Sequence, residues 1–445
     1  MASATAHRAA LPLRRDGWPG VRRAWRVELG KLISQLPLRL LAVVCLLAPI
    51  AFVVVLNSQS AVPADTLFGR WVHTSGFAIP LVVLGFAGSW GFPVITGLVA
   101  GDMFSSEDRH GTWKTLLGRS ASRSEVFAGK VLAATTCSLA LLVLLTASSL
   151  AAGVVGVGTQ RLVSLSGTLI SPGRCLGLVV ASWAIVIMPM LAFISLGVLL
   201  SVATRSGIVG VLGPPVTGTI MVLLSLIGGG EVVRTIMVAT AFDAWHGLFT
   251  EQGYLGPVVQ AAAVSAVYVI ACLTAAWIIL RRRDFAGAPT GIRPGWALPA
   301  RGVAGAVVVV VVLAVASGVG PTAITSTRVQ NAINETFDNL TILQQEELGR
   351  QVPAGLSLSS TATCRRHGGG STPTKGPGDD WVCQITIIEP PPRVDTIDVS
   401  YDVRVRPNGC YTTEGPPSFI GQRTLPGTKN LLNPLFQFDG CFDTT

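Results

Sequence analysis

The chain has 445 residues, half of them hydrophobic and only 13% charged. That is about half the charged share of a soluble domain, so a fully water-soluble surface is excluded. The formal charge of +9 would suit a nucleic acid if it covered one face, but the cations sort by loop, which argues against that partner.

Residues 16–36 place Trp18, Val21, Trp25, Leu29, Leu32 and Leu36 at steps of three and four, with Arg22, Arg23, Arg26 and Lys31 on the other side. This predicts an interfacial helix with its apolar face in the headgroup boundary and its cations toward anionic membrane lipid. Seven apolar runs long enough to cross a bilayer follow, at about 40–56, 77–101, 131–156, 176–203, 208–228, 255–280 and 303–320, none containing Asp, Glu, Lys or Arg. The first run has no small-residue cleavage site after it and is expected to stay as an anchor. The N-terminus, the loop 102–130, Arg205 and the loop 281–301 hold 19 Lys or Arg, against four in the alternate loops. The positive-inside rule makes the first set cytoplasmic and puts residues 321–445 outside. Arg outnumbers Lys 28 to 5 beside abundant Ala, Val and Gly, a composition that points to a GC-rich bacterial genome, so a bacterial cytoplasmic membrane is the expected location.

The second run carries "GFAGSWGFP", with Gly85, Gly88 and Gly91 between Pro80 and Pro93, and the fifth carries "GIVGVLGPPVTG". Small residues let helices approach closely in lipid, and adjacent prolines remove two backbone donors, so a broken helix is expected at Pro214 and Pro215. Between runs five and six, Val232, Ile236, Ala239, Phe242 and Phe249 predict a short external amphipathic helix within 230–252. Asp243 and His246 lie on it and are read as its solvated surface, since no nucleophile or third partner is identifiable nearby.

Beyond the seventh run, Val329, Ile333, Phe337, Leu340 and Leu343 mark another amphipathic helix. The period then changes to two: "TIDVSYDVRV" alternates Ile397, Val399, Tyr401, Val403 and Val405 with polar residues, "WVCQITII" reads as a further strand, and Asn408-Gly409 as a hairpin turn. The tail holds four of the eight cysteines: Cys364, Cys383, Cys410 and Cys441. Four cysteines permit three connectivities, among which Cys364 with Cys383 and Cys410 with Cys441 is the expected one; zinc is disfavoured because the spacings lack any CxxC pair and His367 is the only tail histidine.

No ionisable group sits within the runs to hold a coupling ion, and neither Gly30-Lys31 nor Gly129-Lys130 has the surroundings of a phosphate-cradling loop. Chemistry in this chain is therefore not expected, and any energy must come from a partner gripping a cytoplasmic feature. The longest candidate is "EDRHGTWKTLLGRSASRSEVFAGK", Glu107 to Lys130, in which Ser105 or Ser106 is placed to cap a short helix and Trp113, Leu116 and Leu117 offer an apolar side.

This segment resembles the cytoplasmic signature of the type 2 ABC exporter permeases: an acidic residue before "GT", then "LL", then "SR", then a "GK" opening the next span. Glu107, Gly111, Thr112, Leu116, Leu117, Arg123, Gly129 and Lys130 match it; Ser120 departs, standing where the family tends to have Pro. The resemblance covers about residues 16–285. It implies a coupling helix that docks on a cytosolic ATPase subunit, which would hold ATP and Mg, and a second permease copy, with a homodimer expected. It also implies a pathway between the copies lined by spans two and five, with Phe86, Trp90, Phe92, Pro214 and Pro215 as candidates for lining or gate.

The expected fold class is an all-α polytopic membrane protein, a six-span exporter core plus a seventh span, with a small extracytoplasmic α+β domain. The expected divisions are 1–39 cytoplasmic with the interfacial helix, 40–285 the permease core, 286–320 a cytoplasmic linker and seventh span, and 321–445 the disulfide-containing external domain. The function expected is that of a non-catalytic permease subunit of an ABC exporter for hydrophobic or amphipathic cargo. The alternative is a mechanotransmission subunit acting on an extracytoplasmic protein through the tail.

Overall fold

The computed structural model describes residues 17–58, 66–118, 122–226, 236–283 and 324–352, and in the tail 360–367, 375–388, 396–406, 408–416, 424–425 and 432–443. The expected seventh span and its linker, Val232 and Ser120 lie outside these residues. Among the described residues six helices or helix pairs are long and apolar enough to cross a membrane: Leu36–Ser58, Ala78–His110, Arg123–Gly156, Pro172–Thr204, Gly207–Leu224 and Gly256–Arg282. The protein is thus a polytopic membrane protein with a small α+β domain.

Helix α1 (Trp18–Ser34) starts with Pro19 in its first turn, where a missing N–H costs nothing, and is followed directly by α2 (Leu36–Ser58). Span two comprises α3 (Ala78–Phe86), a π turn (Ala87–Gly91) and α4 (Phe92–Ala100), and continues toward α5 (Ser105–His110) and α6 (Trp113–Gly118). The π turn has a local cause. Pro93 has no N–H and its ring would clash with the carbonyl four residues back, and the Phe92 N–H reaches five residues back to Ala87 O.

Span three is α7 (Arg123–Gly156), opened by a capping box in which Ser122 Oγ accepts from Glu125 N and the Glu125 carboxylate accepts from Ser122 N. A two-stranded hairpin, β1 (Leu162–Val163) and β2 (Leu169–Ile170), leads to span four, α8 (Pro172–Ile185) with α9 (Ile187–Thr204). Spans five and six are α10 (Gly207–Leu226) and α11 (Gly256–Arg282).

The break expected at Pro214 and Pro215 does not occur: α10 runs helically through both. The carbonyls that lose their donors are those of Gly210 and Val211, and both lie against glycines of span two. A Cβ added to Gly101 would sit 2.3 Å from Gly210 O, and one added to Gly97 would sit 2.3 Å from Val211 O. Two side-chain-free positions one turn apart thus let α4 cover the carbonyls that proline leaves unbonded, and the helix needs no break.

The tail folds as α12 (Ser326–Glu347) across a five-stranded antiparallel sheet of order β3 (Ser360–Arg366), β4 (Gly378–Ile388), β5 (Thr396–Val405), β6 (Cys410–Glu414) and β7 (Gln437–Cys441). Val329, Ile333, Phe337, Leu340 and Leu343 are buried together with Val399, Tyr401, Val403 and Val405, as the two periodicities predict, each contributing about 2 kcal/mol of burial. Gly409 takes the left-handed conformation in the β5–β6 turn, with φ at 79°. Two disulfides, Cys364–Cys383 and Cys410–Cys441, cross-link paired strands at facing positions.

Of the stretch where an amphipathic helix is expected before span six, residues 230–235 lie outside the described residues; from 237 on, the chain forms two short 3₁₀ turns, Thr240–Asp243 and His246–Phe249, folded into the end of the bundle that carries the tail. Phe242, Trp245 and Phe249 are nearly fully buried there, so all sides of the segment are packed and a one-sided helix is not what it needs.

Candidate functional site

At the basic end of the bundle, α1 lies along α7. The contact depends on Gly129, where an added Cβ would fall 2.5 Å from Ala24 Cβ, and is tied by Trp25 Nε1 donating to Thr136 Oγ1 at 3.2 Å. This crossing brings four charged side chains together. Lys130, only 1% exposed, donates from Nζ to Glu28 Oε2 (2.9 Å), Met103 O (2.9 Å) and Glu107 Oε1 (3.1 Å). Lys31 Nζ donates to Glu28 Oε1 (3.0 Å) and Glu107 Oε1 (2.9 Å). An ammonium has three protons and no acceptor, and Lys130 places all three, so the buried charge is satisfied. Glu107 also accepts from Thr112 Oγ1, and Thr112 N donates to Glu107 O, which folds the chain back across Gly111 in its left-handed conformation. The face of the Phe104 ring lies beneath the ammonium, 5.7 Å from Nζ to the ring centroid.

Further bonds fasten the same segment to the other spans. Ser201 Oγ on α9 accepts from Phe104 N (3.2 Å) and Ser105 N (3.1 Å). The cap expected from Ser105 or Ser106 is therefore supplied by another span, and Ser105 Oγ instead donates to Asp102 Oδ1. Asp108 accepts from Arg283 at 2.9 Å, Asp102 from Arg109 at 2.7 Å, and Arg123 donates to the Arg281 carbonyl at the end of α11 at 2.7 Å. The last is a cation at a helix C-terminus, where the dipole favours it.

The arrangement redistributes the residues picked from sequence. Glu107 and Lys130 face inward rather than outward, and Trp113 is buried against Phe104 at 6.3 Å, so it is no apolar side for a partner. Leu116 and Leu117 are half-buried against the same core. Among the described residues of the segment, the exposed ones are Arg109, His110, Gly111, Lys114 and Thr115. On α1, Trp18, Arg22 and Arg26 are exposed and Trp25 is half-buried, whereas Lys31, read with the lipid-facing cations, turns its ammonium into the network. Glu28, Asp102, Asp108 and Arg283 were not singled out; the one available signal was Glu28, the sole acid in a helix with four cations.

Of the lining candidates, Phe86 and Trp90 are 50% and 56% exposed on the flank of the bundle. Phe92 is 0% exposed and packs on Phe242 (5.5 Å) and Trp183 (6.2 Å), so it lines no surface of the chain: it belongs to the aromatic core that seats the π turn. Pro214 is buried, facing Gly197 of α9, and Pro215 is half-buried, facing Gly97 of α4.

Asp243 and His246 are also not a solvated surface; the tail covers them. Asn408 Oδ1 accepts from Cys410 N (3.1 Å), which leaves Nδ2 as the donor to His246 Nδ1 (3.1 Å), so the imidazole is neutral at that nitrogen. Burial, reinforced by Arg406, pushes His246 down to about 3; burial raises Asp243 to about 6 against the pull of Arg406. Asp439, beside Arg70 and Arg406, is likewise raised by burial. Asn339 Nδ2 donating to Ser166 O (2.7 Å), and Val163 and Trp71 packed into the tail core, complete the junction.

Residues 26–212 match the family model described as ABC-2 family transporter protein. No curated protein matches the chain.

Two outcomes are expected. Lys130→Met leaves Glu28 and Glu107 buried with Lys31 alone between them, and should cost about 3–5 kcal/mol, read as a lowered thermal midpoint and faster amide exchange along α1. At the junction the two titrations oppose each other. The His246 contribution is present above its free value near 6.5 and is lost toward pH 3, whereas that of Asp243 is present below 3.8 and is lost as pH rises through about 6. Tail docking, followed by exchange of amides 237–250 corrected for intrinsic rate, should thus depend on pH between 7 and 5 less than the His246 titration alone would make it. Asp243→Asn should weaken it about thirtyfold over that range, and His246→Gln should strengthen it about tenfold.

Proposed function

From the premise that over residues 26–212 this chain is a member of the ABC-2 transporter family, a membrane subunit whose family implies an ATPase partner, we propose that it couples ATP hydrolysis by a separate cytosolic subunit to export of a hydrophobic or amphipathic substrate. ATP and Mg are held by that subunit, and the basic end faces the cytoplasm of a bacterial cell. The observation that carries the reading is the coupling segment: Arg109, His110, Gly111, Lys114 and Thr115 point outward, while Glu107 and Lys130 lock its inner side to α1 and α7.

A docking helix pushed from below must not deform locally, or the stroke is lost. The buried network and the Ser201 cap transfer displacement of α5 to spans two, three and four together. In this reading Glu107 is a strut, and the contact with the ATPase falls to Lys114 and its exposed neighbours. The exposed flanks of α2 and α10 suit lipid and a second copy, and Phe86 and Trp90 are the aromatic lining proposed between copies.

The second reading, mechanotransmission, is favoured by one observation: the tail is docked on a loop that itself touches span two. ATPase stimulation separates the two. A lipophilic cargo should stimulate the complex if it exports, and a wall-associated protein should do so if it transmits force.

The test uses the full chain with the ATPase that copurifies with it. Lys114→Glu with Thr115→Glu should abolish copurification while leaving membrane insertion intact. Glu107→Gln should retain copurification and lower stimulated hydrolysis at least about tenfold, the range of effect expected for an element that transmits rather than binds. Full stimulated activity in both variants would sink the docking role.

A further inference from the structure

The junction beneath the tail joins elements far apart in the chain, and beside the Asn339–Ser166 bond it has a second point of contact. The turn between β5 and β6 brings Arg406 and Asn408 onto Asp243 and His246, with Asn408 fixed in orientation by the Cys410 N–H. The Phe442 N–H bonds Gly409 O at 3.0 Å, and the Cys410–Cys441 disulfide closes the same corner. Four residues before His246 and one before Asp243, Phe242 turns the other way, into the bundle. Its Cβ lies 3.0 Å from the position that a Cβ on Gly88 would take, and its ring stacks on Phe92 (5.5 Å) and Phe193 (5.7 Å). Gly88 is the second residue of the π turn, and Phe92 is the residue whose N–H makes the five-residue bond that defines it. The segment 240–246 is therefore held on one side by the tail and on the other by the irregular turn of span two.

We infer that the C-terminal domain is a latch on span two: docked through Arg406 and Asn408, it holds Phe242 in the π turn and fixes the conformation of the half of the span beyond Gly88. A π turn is a register irregularity that converts to regular helix by shifting one hydrogen bond, so it is a place where a span can switch between two packings. Pro93 favours the irregular form from within the chain, and the aromatic wedge favours it from outside. Undocking removes the second constraint and leaves the first. The tail thereby sets how readily the span changes, and a ligand or protein that binds the docked tail shifts that equilibrium by its differential affinity alone. This deepens the proposed function by assigning control of the outward end of the pathway. It does not need the ATPase to be present, so failure here would leave the coupling role standing.

The experiment is amide exchange by mass spectrometry on the full chain in nanodiscs. Asn408→Ala and Arg406→Ala, alone and together, should raise exchange of amides 237–250 and of 86–92 by at least about tenfold, with the β4–β5 amides still protected as the sign that the tail is folded. Thr386→Ala, on the outer face of the sheet, should change neither segment. Phe242→Ala should raise exchange at 86–92 with the tail still docked, which keeps the inference testable if the junction variants disturb the tail itself. Loosening of 237–250 with 86–92 unchanged, or an unaltered π turn in Phe242→Ala, would overturn it.

Discussion

A fully buried ammonium must have every proton bonded and its charge matched, or the fold loses several kcal/mol. Lys130 meets that requirement with one carbonyl and two carboxylates drawn from three places: the end of span two, α5 and α1. Each of these partners is fixed by Lys130 and each fixes it in turn. Without the network, α1 is left with its close approach at Gly129 and the Trp25–Thr136 bond, and the segment 105–117 with its Ser201 cap, the packing of Trp113 on Phe104 and its bonds to the neighbouring basic loops. The network is also what makes a short, charged segment rigid in a bundle otherwise held by apolar packing, where lipid and protein interior are about equally apolar and packing must supply the specificity.

The second constraint is backbone satisfaction in lipid. Prolines at 93, 214 and 215 each remove a donor, and the structure answers them in two ways. At Pro93 the helix widens by one residue and accepts an aromatic wedge; at Pro214 and Pro215 the helix stays regular and presses the orphaned carbonyls onto Gly97 and Gly101. The two solutions lie on the same pair of spans. Span two is thus packed closely against span five along α4 and irregular above it, with its regular half tied to the basic end and its irregular half tied to the tail.

What could be read from sequence was what depends on local period and local chemistry. The tail helix and strands followed from periods of 3.6 and two, the β5–β6 turn from Asn408-Gly409, and the disulfide pairing agreed with strand neighbours once register was known. The spans were legible because each is apolar along its whole length. What could not be read was which polar residues turn inward after helices cross. Glu28 looks like any acid on a basic helix until Gly129 lets that helix approach α7, and Lys31 looks lipid-facing until Glu107 is folded back beneath it. Asp243 and His246 have the surroundings of a surface until a domain some 160 residues later covers them. Phe92 reads as an aromatic near a kink, and only the arrival of Phe242 shows it to be core.

The proposed coupling requires α1, the segment 105–117 and span three to move as one body. The most direct measurement is the distance between spin labels at Arg26 on α1 and His110 at the end of α5, both exposed, recorded in the complex with its ATPase without nucleotide and with trapped ATP. A single narrow distance unchanged between the two states is predicted. A broad distribution, or a distance that shifts with nucleotide, would contradict the rigid unit on which the proposed coupling depends.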